Sequence, residues 1–95
     1  MAVGILHLEL RLLTPCSLKE KRSIIRPLKN YLQTEHNLSV AEIEHQEVEV
    51  YRLSGLEVAM VSNDRTYLQT ALSGLSKLLE KQFPVMLARE KVEII

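Results

Sequence analysis

Three features of this 95-residue chain predict an α+β domain with the element order βαββαβ. Apolar and polar residues alternate over residues 2–13, and shorter strand-like runs recur at 38–44, 56–61 and 85–95. Between the first two runs, and again between the last two, apolar residues recur at helical spacing. Right-handed crossovers place both helices on the same side of the sheet. The expected fold is therefore a four-stranded antiparallel sheet with two helices on one face, the split-βαβ, ferredoxin-like sandwich. Its other face is left open.

The first strand points Leu6, Leu8, Leu10 and Leu12 one way and Ile5, His7, Glu9 and Arg11 the other, so one face is buried and one is polar. Thr14-Pro15-Cys16 ends it. Ser17 is suited to an N-cap, and Glu20 three residues later completes a capping box. Leu18, Ile25, Leu28 and Leu32 then fall on one helix face, widened by Ile24 and Tyr31. Pro27 removes a backbone donor, but on the solvent side, where a kink is expected and tolerated. His36-Asn37 ends the helix, Asn being the usual non-glycine residue in the left-handed C-terminal position.

Residues 38–44 form a weaker strand with Ala41 and Ile43 expected inward, followed by a polar, acidic connection over 45–49. The third strand is strongest over 56–61, where Leu56, Val58 and Met60 share a face and Glu57 and Ala59 the other. Ser62-Asn63-Asp64 is a cluster of cap residues that starts a second helix near Arg65. Tyr67, Leu68, Ala71, Leu72, Leu75, Leu78, Leu79 and Phe83 recur to its end, with Gly74 inside and Pro84 as its stop. In the last strand Val92 and Ile94 face inward and Arg89, Lys91 and Glu93 outward; Glu90 falls among the inward positions, which calls for a bulge. The open sheet face then carries His7, Glu9, Arg11, Glu57, Arg89, Lys91 and Glu93, with opposite charges pairing between neighbouring strands.

Composition narrows the class. Apolar residues make up 46% and charged residues 25%, ordinary values for one soluble domain. Net charge is zero, so nucleic-acid binding requires a local patch. Cys16 is alone, which excludes an intramolecular disulfide or a cysteine metal cluster. Nothing in the sequence approaches a leader or a membrane span, and a reducing cytoplasm is the expected location.

No catalytic constellation is found. His7, His36 and His45 are dispersed, and the three glycines, Gly4, Gly55 and Gly74, form no phosphate-cradling loop. Glu42, Glu44, His45, Glu47 and Glu49 make a dense acidic patch, but solvated charge is commoner than a hard-cation site and no glycine turn resembles a calcium loop. No enzyme activity, metal or cofactor is expected. Tyr31, Tyr67 and Phe83 are assigned to the core or its margin, so the open face has no aromatic platform for stacking bases.

The unusual feature is the first helix. Lys19, Arg22, Arg26 and Lys29 fall in a sector of roughly 80° beside the apolar stripe, with Lys21 nearby. Lys19 and Arg22 also oppose the free amides of the helix start. A solvated charged face is the commoner explanation; a strip that tracks phosphates is the sharper one.

The run Ser17-Leu18-Lys19-Glu20-Lys21-Arg22, then Val40-Ala41-Glu42, then Gly55 leading through an apolar run into Ser62-Asn63-Asp64, resembles the YlxP-like family of small bacterial domains over essentially the whole chain. The resemblance implies a ferredoxin-like fold. Genes of that family commonly lie among those for transcription elongation, translation initiation and ribosome maturation, so it also implies an RNA-linked role without naming a reaction. Lys19, Lys21, Arg22 and Asp64 are the shared positions, Asp64 reading best as an N-cap. Members often carry a tryptophan after the second strand; this chain has Gln46-Glu47-Val48-Glu49-Val50 there, and Tyr51 is the nearest aromatic.

Two functions are expected to compete. One is electrostatic binding of structured RNA or a ribosomal particle through Lys19, Lys21, Arg22, Arg26 and Lys29. The other is a protein-interaction module, as a homodimer or a translation-factor partner, that uses the open sheet or a strand edge.

Overall fold

The computed structural model describes residues 1–14, 17–43 and 52–95. Strand β1 (Ala2–Leu12) is central. It pairs antiparallel with β3 (Leu53–Ser62) on one side and with β4 (Val85–Ile94) on the other, while β2 (Ser39–Ile43) pairs antiparallel with β3. The sheet order is β2-β3-β1-β4, as the split-βαβ arrangement requires.

Helix α1 (Leu18–Glu35) starts where the cap chemistry places it: Ser17 Oγ accepts from the Glu20 amide at 3.2 Å. It runs unbroken through the exposed Pro27. Asn37 then takes the left-handed conformation, with φ 52°, and turns the chain into β2. Ile25, Leu28 and Leu32 of α1 are fully buried against Leu6, Leu8, Leu10, Leu12, Leu56 and Val58 of the sheet. Tyr31 and Phe83 close the margin of this core, edge to face at 5.8 Å, and Gln82 donates to the Tyr31 hydroxyl at 2.9 Å.

Four expectations need correction. The second helix is two helices, α2 (Arg65–Ser73) and α3 (Leu75–Gln82), which meet at Gly74. Leu68 and Leu72 of α2 and Leu75 and Leu79 of α3 are buried, so both still cover the same sheet face. In β2 the phase is reversed. Ala41 and Ile43 are exposed, Val40 packs against the core, and Glu42 takes the next half-buried position. The buried Leu38 and the inward Val40 set that phase, and cations from α1 neutralise Glu42 where it follows them. Leu18 is exposed, because burial along the α1 stripe begins only at Ile25. Tyr67 is exposed as well, on the outer side of the first turn of α2.

The bulge anticipated in the last strand is present. Glu9 opposes Arg89 and Leu10 opposes Leu87, so Ala88 is the extra residue. Beyond it, Arg89 and Glu93 align with Glu9 and Ile5 on the open face.

Candidate nucleic-acid interface and the open sheet face

The five cations expected on α1 do three different things. Lys19 and Arg26 are exposed. Arg22 turns toward β2 and donates from Nη1 to Glu42 Oε1 and from Nη2 to Glu42 Oε2, the latter at 3.1 Å. Lys29 Nζ stands 3.7 Å from the same carboxylate. The Arg22 hydrogen bond holds the Glu42 carboxyl below its usual range, with the charges of Arg22 and Lys29 acting the same way against partial burial. The same contact raises the Arg22 guanidinium.

Lys21 differs from the others. Its Nζ donates to the Leu53 carbonyl at 2.8 Å, and partial burial pushes its ammonium down from the ordinary lysine value. The signal was in the spacing. Lys21 stands four and seven residues before Ile25 and Leu28, which places it on the core-facing stripe and not in the cation sector. Asp64 is an N-cap: its Oδ1 accepts from the Tyr67 amide at 3.1 Å.

The other residues of the acidic patch, Glu44, His45, Glu47 and Glu49, lie outside the described residues, as do Cys16 and Tyr51. Among the described residues no group of three or more His, Cys, Asp or Glu is placed to hold a metal ion. No helix among them is long and apolar enough to cross a membrane.

On the open face the antiparallel register sets His7 of β1 beside Glu57 of β3 and Lys91 of β4. His7 Nδ1 lies 2.5 Å from Glu57 Oε2, an oxygen shielded from solvent, and Nε2 lies 2.9 Å from Glu93 Oε1. Both contacts are hydrogen bonds only when both ring nitrogens carry protons, so the carboxylates favour the imidazolium. The His7 pKa is accordingly raised, first by the hydrogen bond to Glu57. The Glu93 carboxyl is lowered, first by its hydrogen bond from His7 and then by Lys91, 3.5 Å away. Two shallow hollows flank this row. One of about 420 Å³ is lined by Ile5, Ser39, Ala41 and Ala59; the other, about 210 Å³, by Glu9, Ile43, Gly55 and Arg89.

An antiparallel sheet with helices on one face, a charged open face and a cation-bearing edge helix defines a small split-βαβ domain. A family model described as "protein of unknown function (DUF503)" matches residues 3–92, and the chain belongs to that family. No individually curated protein matches it.

Proposed function

We propose that this is a non-enzymatic cytoplasmic domain that binds structured RNA or a ribosomal particle along the edge of α1 that borders β2. One observation carries the reading: Lys19, Arg22, Arg26 and Lys29 lie along one side of the helix, and a single carboxylate, Glu42, is shared by two of them. Glu42 does not use up these cations. A guanidinium has five N–H donors, of which Arg22 spends two on Glu42, and Arg22 stays 37% exposed. Holding its side chain in place also lowers the entropy lost when a phosphate binds. The resemblance to the YlxP-like family, with its neighbourhood of translation genes, supports the same reading.

Binding of this kind works by neutralising phosphates and releasing counterions, so affinity falls steeply with salt and varies little with sequence. The test is binding of ribosomal RNA by fluorescence anisotropy at low and at physiological salt. Lys19→Gln and Arg26→Gln are the informative changes, because both side chains are exposed. Each is expected to make the slope of log affinity against log salt shallower by about one. The double variant Lys19→Glu/Arg26→Glu is expected to lose binding at physiological salt while its circular dichroism stays unchanged. No binding by the wild type, or equal binding by both proteins, overturns the reading.

A further inference from the structure

The open sheet face forms a second surface, on the opposite side of the sheet from α1, and its two halves differ in size. Across β2 and β3 it presents Ser39, Ala41 and Ile43, then Ala59, Glu57 and Gly55, mostly short side chains. Across β1 and β4 it presents Ile5, His7 and Glu9, then Glu93, Lys91 and Arg89, all long. One hollow lies over Ser39, Ala41 and Ala59 of the first half, and the other lies between Ile43 and Gly55 on one side and Glu9, Arg89 and Lys91 on the other.

We propose that a second copy of this chain docks on this face, sheet against sheet, about a twofold axis parallel to the strands and between β3 and β1. That operation lays β3 over the partner's β1 and β2 over the partner's β4. From the register, Ala59 then covers the partner's Ile5, Gly55 the partner's Glu9 and Ala41 the partner's Lys91. Four of the six facing pairs set a long side chain on a short one, and the other two place Glu57 over the partner's His7 and Ile43 over the partner's Arg89. A twofold axis across the strands would instead lay β2 on β2 and β3 on β3, short upon short, and β1 on β1 and β4 on β4, long upon long.

Charge allows the same docking. Among the described residues the face carries Glu9, Glu57 and Glu93 against Arg11, Arg89 and Lys91, so two copies do not repel. Glu57, already beside His7 of its own chain, also comes over the partner's His7. Three strands of 10 or 11 residues and one of 5, about 4.8 Å apart, give on the order of 500 Å² per copy. Twice that area is near the lower limit for a specific interface, so the dimer is weak and depends on concentration.

This surface is independent of the cation strip, and the experiment separates the two. Sedimentation velocity on the full chain, from low micromolar to near-millimolar concentration, is expected to show the mass rising from one chain toward two. Ala59→Arg and Ala41→Arg, which fill the short half, are expected to stay monomeric, with circular dichroism confirming that both are folded. Lys19→Glu/Arg26→Glu is expected to dimerise like the wild type. A wild type that remains monomeric throughout overturns the proposal, as does a dimer that persists in both arginine variants. A monomer whose arginine variants lose ribosomal RNA binding assigns the face to RNA and overturns it equally.

Discussion

Arg22 and Glu42 join the first helix to the second strand through two parallel hydrogen bonds, Nη1 to Oε1 and Nη2 to Oε2. The pair lets β2 keep Val40 against the core while a carboxylate follows on the same side. Glu42→Gln keeps the shape and removes the charge. Because Arg22 is partly exposed and screened, the expected loss of stability is about 1 kcal/mol, read as a lower urea midpoint. In the same variant Arg22 and Lys29 lose their anionic competitor, so affinity for ribosomal RNA is expected to rise. Unchanged affinity would place the RNA surface elsewhere.

His7 makes the open face sensitive to pH. Its folded pKa lies above the ordinary 6.5, so its contribution is fully present below pH 6.5 and is lost as pH rises through the raised value. Glu93 works in the opposite direction: its contribution is present above the ordinary 4.5 and is lost as pH falls through its depressed value. The two together favour the range between 4.5 and 6.5. The expected readout is a His7 imidazole proton resonance titrating above 6.5, moved downward by Glu57→Gln more than by Glu93→Gln. High salt is expected to shrink both effects, since the groups are near the surface.

The alternation of β1 was legible because the strand is flanked on both sides and every second residue enters one core. The bulge in β4 is legible as well, but in the change from odd inward positions at Val85 and Leu87 to even ones at Val92 and Ile94; Glu90 itself keeps the inward phase, opposite Leu8. Short elements were harder. Five residues of β2 offer two phases, and the expectation of Ala41 and Ile43 inward fails because Val40 packs on the core and Arg22 of α1 meets Glu42, a tertiary contact that no local pattern contains. Gly74 read as a residue within one helix because apolar spacing continues across it, although the backbone divides there. Of the cation site, the exposure of Lys19 and Arg26 followed from the helical wheel, whereas the engagement of Arg22 and Lys29 depended on the strand phase.

Asp64 separates structural from binding roles. Its carboxylate accepts from the Tyr67 amide at 3.1 Å and thereby caps α2. Asp64→Ala is expected to cost about 1 kcal/mol in chemical denaturation, while Asp64→Ser or Asp64→Asn retains most of that stability. RNA affinity is expected to be the same in all three. A loss of affinity with stability retained in Asp64→Asn would make Asp64 part of the interface.

Gly4 and Gly74 have opposite reasons for lacking a side chain, and substitution tells them apart. A Cβ on Gly4 would stand 2.7 Å from Leu72 Cδ1 and 3.3 Å from Leu68 Cδ2, both side chains fully buried beneath α2. Gly4→Ala therefore forces α2 or its leucines to move, and overpacking of this kind costs about 1–3 kcal/mol. Pairing it with Leu72→Val, which withdraws the clashing carbon, is expected to cost less than the sum of the two single changes. At Gly74 the backbone has φ −89° and ψ −11°, open to any residue, and a Cβ would meet only the Thr70 carbonyl, at 3.7 Å. Gly74→Ala is thus expected to stabilise by about 0.5 kcal/mol, by restricting the unfolded chain, and to raise the thermal midpoint. A neutral Gly4→Ala would show that the sheet and α2 do not meet at the distance described, and a destabilising Gly74→Ala would show that the junction between α2 and α3 needs glycine.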